Sequence, residues 1–192
     1  MRNYSEGYKN LGSPKLDMEL TRRDAMAALA AIGVAGGVTL GAGRLDTETT
    51  VEQNEHNRLR TTMVAVATVV YPNEVSGVPA FVNGVLDGRL EDTDHAAGIQ
   101  QTVAELNDRA VAWYGGPVPE LSTSECDSLL REVGADTADE DPNGTTAEQV
   151  RYYVINELLF ALYASPTGGK LVGIENPQGY PGGTASYSQG PE

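Results

Sequence analysis

The sequence predicts a mainly α fold, a small helical bundle of about five helices with an extended Gly/Pro-rich C-terminal tail. Three observations carry that reading. Apolar residues recur at helical spacing in successive segments between residues 58 and 164. Two Ser/Thr-x-x-Glu capping boxes, Ser122/Glu125 and Thr145/Glu148, mark helix starts. Glycine and proline then crowd into the stretch after Ser165, where a regular helix is not expected.

Each element follows from local pattern. Leu59, Met63, Val66, Ala67 and Val70 share a helix face that Pro72 ends. The β-branched pair Val69-Val70 also suits a strand, but the period favours helix. Pro79 fits a first helical turn ahead of Phe81, Val82, Val85 and Leu86, and Gly84 and Gly88 should keep that helix short. Asp92 to Asp94 offers capping acids for a long helix in which Ile99, Val103, Leu106, Ala110 and Trp113 share one face, up to Gly115. The helix opened by Ser122 puts Cys126, Leu129, Leu130 and Val133 on its core side and closes at Gly134. From Val150 to Ala164 runs the most apolar helix, apolar nearly all round, which suits the centre of a bundle or contact with a partner.

Four regions result: 1–43, a polar tail followed by a candidate export segment; 44–57, a linker; 58–164, the helical domain; and 165–192, the tail. The export segment is Thr21-Arg22-Arg23-Asp24 followed by an uncharged run from Ala25 to Gly43. Paired arginines directly ahead of a mildly apolar run resemble the twin-arginine signal, whose translocon moves folded proteins. The signal residues are Arg22, Arg23, Met26 and Leu29. Removal near Gly41-Ala42-Gly43 is favoured, and retention as a membrane anchor is the alternative, weakened by five glycines. The expected location is the outer face of the cytoplasmic membrane or beyond the cell.

Charge narrows the function classes. The chain holds 13 Lys and Arg against 27 Asp and Glu, a net charge of −14. Five of those cations and four of those acids lie in residues 1–43, leaving 8 against 23, or −15, for the rest. Nucleic acid is therefore not an expected partner, since phosphate must be met by basic patches. An acidic chain with only three lysines resembles proteins of high-salt organisms, where acidic surfaces stay hydrated.

No cofactor or catalytic constellation is legible. Asp139-x-Asp141-x-Asn143-Gly144 matches the first half of a calcium loop, but Pro142 intrudes and Val150 stands where a bidentate Glu is needed. Asn143-Gly144-Thr145 matches a glycosylation acceptor, a tripeptide common by chance. His56 and His95 have no zinc-ligand spacing, and neither a dinucleotide fingerprint nor a nucleophile elbow occurs. Cys126 is the single cysteine and reads as a small core residue. Glu157 falls on the apolar stripe of the last helix, where an ion pair with Arg109 or Arg151 is expected. Catalytic, cofactor-binding and metal residues are accordingly expected to be none in this chain.

The end of the chain carries a resemblance. The run Tyr153-Val154-Ile155-Asn156-Glu157-Leu158-Leu159-Phe160-Ala161-Leu162-Tyr163, then Ser165-Pro166-Thr167-Gly168-Gly169-Lys170-Leu171-Val172-Gly173-Ile174, then Gly179-Tyr180-Pro181-Gly182-Gly183, resembles the gluconate 2-dehydrogenase subunit 3 family. Thr167 stands where the family more often has an aromatic, and the tryptophan often found after the glycine pair is absent. The resemblance implies a small helical gamma subunit without catalytic residues of its own. Its partner would be a large flavoprotein dehydrogenase of the glucose-methanol-choline type, carrying FAD and oxidising a sugar or polyol, with a cytochrome as a further partner. The gamma subunit would aid maturation of that enzyme and carry it through the twin-arginine translocon. Partner-contact residues would be Tyr163, Gly168, Gly169, Lys170, Leu171, Gly173, Ile174, Tyr180, Pro181, Gly182 and Gly183. The tail could equally cover this domain's own helices. The competing function is a free-standing exported binding or surface protein.

Overall fold

Ser122 shows how short-range chemistry sets the helix ends. Its hydroxyl accepts from Glu125 N at 3.3 Å, while Ser122 N donates to Glu125 Oε2 at 2.8 Å. The helix so opened, Thr123–Val133, closes on Gly134 at φ 87°, a left-handed turn that favours glycine. The second box works alike, Thr145 N donating to Glu148 Oε2 at 2.6 Å. In this computed structural model the described residues are 18–32, 49–91 and 93–173. Ile174, Tyr180, Pro181, Gly182 and Gly183 lie outside them, as does the proposed cleavage run at 41–43.

The order of elements is β1 (Met18–Glu19), α1 (Arg22–Ile32), α2 (Thr49–Val70), β2 (Val75–Ser76), α3 (Val78–Arg89), α4 (Thr93–Tyr114), a 3-10 turn (Val118–Glu120) and α5 (Thr123–Val133). One long rod follows: α6 (Thr146–Val150), a π turn (Arg151–Asn156) and α7 (Glu157–Ala164). After a break at Ser165 comes α8 (Pro166–Leu171). The fold is mainly helical, as expected. The core gathers Met63, Val66, Phe81, Ile99, Leu106, Leu129 and Leu162, all fully buried. Cys126 sits among them, and burial, helped by Asp127, pushes its thiol up to about 11. A polar node is built in without an unmet bond: Asn107 Nδ2 donates to Thr62 Oγ1 and Val103 O, each at 2.9 Å, and Asn107 Oδ1 accepts from Val118 N at 3.0 Å.

Three expectations are corrected. Helix α2 begins at Thr49, so residues 49–57 are helical and not linker. Residues 53–58 are exposed all round, and a fully solvated helix carries no apolar period to read. Trp113 is not in the core: it is 48% exposed, with the Arg109 guanidinium 5.9 Å from its ring centre. The stretch after Ser165 is not extended from its first residue. Ser165 Oγ accepts from Gly168 N at 3.0 Å, Pro166 occupies the first turn, and the helix α8 forms despite its two glycines. A Cβ on Gly168 would stand 1.9 Å from Leu162 O, so glycine there permits the chain to fold back on α7.

The described part of the candidate export segment, residues 21–32, belongs to this body. Leu20 N donates to Ser76 O at 2.8 Å, beside the parallel pairing of Met18 with Val75. Gly77, at φ 73°, accommodates that approach, since a Cβ there would meet Leu20 O at 2.1 Å. Helix α1 lies across α3 and α7 and buries Ala25, Ala28 and Leu29. Gly84 faces Ala25 and Gly88 faces Leu29, each so close that a Cβ would come to 2.8 Å. A helical glycine costs about 1 kcal/mol. Burying a leucine side chain yields about 1.5–3 kcal/mol, so the close fit outweighs the propensity loss.

The π turn has a comparable logic. Val150, Val154, Leu158 and Leu162, four apart, are all buried. On a regular helix, steps of four would drift by about 40° each, or about 120° over the run. One extra residue in the wide turn returns about 100° of that drift, and the four stay in line.

Candidate functional site

Glu157 is the buried charge around which a candidate site forms, where the end of α3, the start of α4 and the π turn meet. Its side chain is 7% exposed. Arg89 Nε donates to Glu157 Oε1, and Arg89 Nη2 donates to Oε2 at 2.9 Å, a bidentate clamp. His95 Nε2 lies 2.9 Å from both Glu157 Oε2 and Arg89 Nη2. That nitrogen can serve one of them at a time, donating to the carboxylate when it bears hydrogen or accepting from the guanidinium when it does not. Burial works to raise the Glu157 pKa, but the His95 and Arg89 bonds and charges outweigh it and hold the carboxyl below its usual value. The partner expected for Glu157, Arg109 or Arg151, is replaced by Arg89. Arg109 is engaged elsewhere, with Glu105 at 2.7 Å and Thr146 Oγ1 at 2.6 Å.

Aromatic rings wall the cluster. Tyr153 packs 5.5 Å from the His95 ring, and Tyr152 stands edge-on to Tyr153 at 4.8 Å. Tyr153 rests on Gly98 of α4, where a Cβ would come within 2.3 Å of the ring. Behind the carboxylate, the Tyr71 hydroxyl donates to Leu158 O at 2.9 Å; burial and the Glu157 charge push its pKa up. A shallow groove opens outward between Arg89, His95 and Glu157 on its floor and Phe160 and Tyr163 on its rim. Phe160 is 57% and Tyr163 42% exposed. Asn156 donates to Glu140 and ties the acidic loop to the same edge.

A carboxylate held ionised by a bidentate guanidinium is a weak base, suited to fixing positions more than to moving protons. Among the described residues no group of three or more His, Cys, Asp or Glu is placed to hold a metal ion. No described helix is long and apolar enough to cross a membrane.

The remaining sequence-derived residues fall in two places. Arg22 and Arg23 are exposed on α1, Met26 is half-exposed beside them, and Leu29 is buried against α3. Tyr163 is on the aromatic rim, Lys170 and Gly173 are exposed, and Leu171 is half-buried against the core. Gly168 and Gly169 are buried within the domain. The structure adds Arg89, His95, Tyr152, Asn156 and Phe160. Arg89 was open to elimination, being one of only eight cations after residue 43, but nothing local pairs it with a residue 68 positions on.

The fold and this cluster define a small helical domain with a rigid charged centre under an aromatic rim. The model of the gluconate 2-dehydrogenase subunit 3 family matches residues 58–182, and the chain belongs to that family. The family implies membership of a multi-subunit dehydrogenase with a larger catalytic subunit. No curated protein and no solved structure matches the chain significantly.

Proposed function

We propose that this chain is the non-catalytic accessory (gamma) subunit of an exported FAD-dependent dehydrogenase of the glucose-methanol-choline type. In this reading it aids maturation of the catalytic subunit and takes it through the twin-arginine route to the outer face of the membrane or beyond. The observation that carries the proposal is the family match over residues 58–182. Two features of the surface support it. Phe160 and Tyr163 stand exposed over a rigid ionic floor, the kind of aromatic anchor that dominates protein interfaces. Arg22 and Arg23 are both exposed on one end of the body, where a receptor can reach them. The flavin belongs to the partner in this reading, and a cytochrome takes its electrons.

The test is to tag the chain, isolate it from the cell envelope and identify what accompanies it. A large flavoprotein in stoichiometric amount is expected, and its absence sinks the proposal in favour of a free-standing exported protein. Arg22→Lys with Arg23→Lys should strand both this chain and the dehydrogenase activity in the cytoplasm. Activity that still reaches the outside removes the co-export claim.

A further inference from the structure

Residues 18–32 occupy a groove of their own chain that fits them in detail. At its mouth, Leu20 is 1% exposed and sits on the Gly77 turn, beside the β1/β2 pairing. Along its length, Ala25 and Ala28 are fully buried and Gly84 and Gly88 provide the flat floor. At its far wall, Asp24 accepts from Thr167 Oγ1 at 2.6 Å and Thr167 N at 3.2 Å, and on its own side from Thr21 N at 2.9 Å. With Thr21 Oγ1 also donating, Asp24 accepts four hydrogen bonds, and a disposable leader has no need of such a buried carboxylate or of glycines shaped to its side chains.

We infer that residues 18–32 are a permanent part of the folded subunit, held in the groove formed by α3, α7 and α8, and that the mature protein keeps them. A cut at Gly41-Ala42-Gly43 followed by loss of the leader would strip apolar cover from α3 and leave Thr167 without Asp24. The twin arginines then stay displayed on the finished protein, at the edge of an otherwise acidic body. The inference is independent of the export route.

The test uses the full-length chain with a protease recognition sequence placed between residues 33 and 48. After cleavage, the N-terminal fragment should co-elute with the body in equal amount on gel filtration. Ala28→Glu, which puts a charge at a fully buried position, should release the fragment, while Ala30→Glu on the exposed side of the same helix should not. Release of the unsubstituted fragment from a body that keeps its helical signal and melting temperature overturns the inference. So does retention of the Ala28→Glu fragment. Release accompanied by collapse of the body supports it, because the body then depends on the segment. Separately, the intact mass of the chain recovered from cells should place its first residue at or before Met18, and a start between residues 33 and 49 contradicts it. The mass reads processing and the cell fraction reads export, so the failure of one claim is not mistaken for that of the other.

Discussion

Thr167 hands a hydrogen bond to Asp24 across 143 positions of chain, joining the residue after the paired arginines to the first turn of α8. Burial works to raise the Asp24 pKa, but the Thr167 and Thr21 donors outweigh it and hold the carboxyl below its usual value. A depressed pKa contributes stability that is fully present above the unfolded value, near 4, and lost as pH falls through the folded value. Asp24→Asn should therefore lower stability by about 1.5–3 kcal/mol at pH 7, and the gap from the parent should close below about pH 4. Urea melts at a series of pH values measure this, and a gap that widens toward acid refutes it.

Glu157→Ala should be far more damaging than its surface neighbours. Removing one member of a buried ion pair costs about 3–5 kcal/mol, because the other charge stays in place without its counter-charge. Joint replacement, Glu157→Leu with Arg89→Met, should recover much of that loss, since apolar side chains of similar volume spare the desolvation cost. The comparison is made by denaturant titration of the parent and the two variants. Equal stability of the single and double variants would show that the clamp is not the source of the effect.

Phe160→Ala and Tyr163→Ala should leave the isolated domain within about 0.5–1 kcal/mol of the parent, both side chains being half-exposed. Recovery of the large subunit with the tagged chain should nevertheless fall at least tenfold, the scale of an interface hot spot above about 1.4 kcal/mol. Undiminished recovery would remove the aromatic rim from the interface.

Cys126 should resist alkylation in the native state at pH 7–8. It is 2% exposed and its thiol is pushed up to about 11, so little thiolate is present and reagents cannot reach it. Full labelling should appear only in denaturant, and the labelling rate reports global opening. Rapid labelling under native conditions would contradict the buried placement.

What was legible in the chain was what neighbours in sequence decide. Ser122 with Glu125, Thr145 with Glu148 and the stripe from Ile99 to Ala110 depend on spacings of three and four, and all stand where expected. Trp113 prolongs that stripe by period alone, yet α4 ends one residue later, at Tyr114, and nothing in a period says where a helix outruns its bundle. Gly84 and Gly88 read as weaknesses because their use depends on Ala25 and Leu29, about 59 positions earlier, arriving against them. Glu157 was legible as a buried carboxylate from its own helix, but the identity of its clamp was not. Arg89 and His95 come from two other elements, and only the tertiary fold brings them to one oxygen.

The π turn makes hydrogen-bond register, more than residue identity, the constrained variable of the long C-terminal rod. Conservative replacements between Arg151 and Asn156 keep the two halves in phase. Tightening this turn to a regular helix with every residue kept would rotate everything beyond it by about 100°. Glu157 would swing away from Arg89, and the exposed face of α7 would turn by a little over a quarter of the circle, carrying Phe160 and Tyr163 off the rim. A change of backbone register alone, invisible in composition and in length, would erase the charged floor and the aromatic rim together.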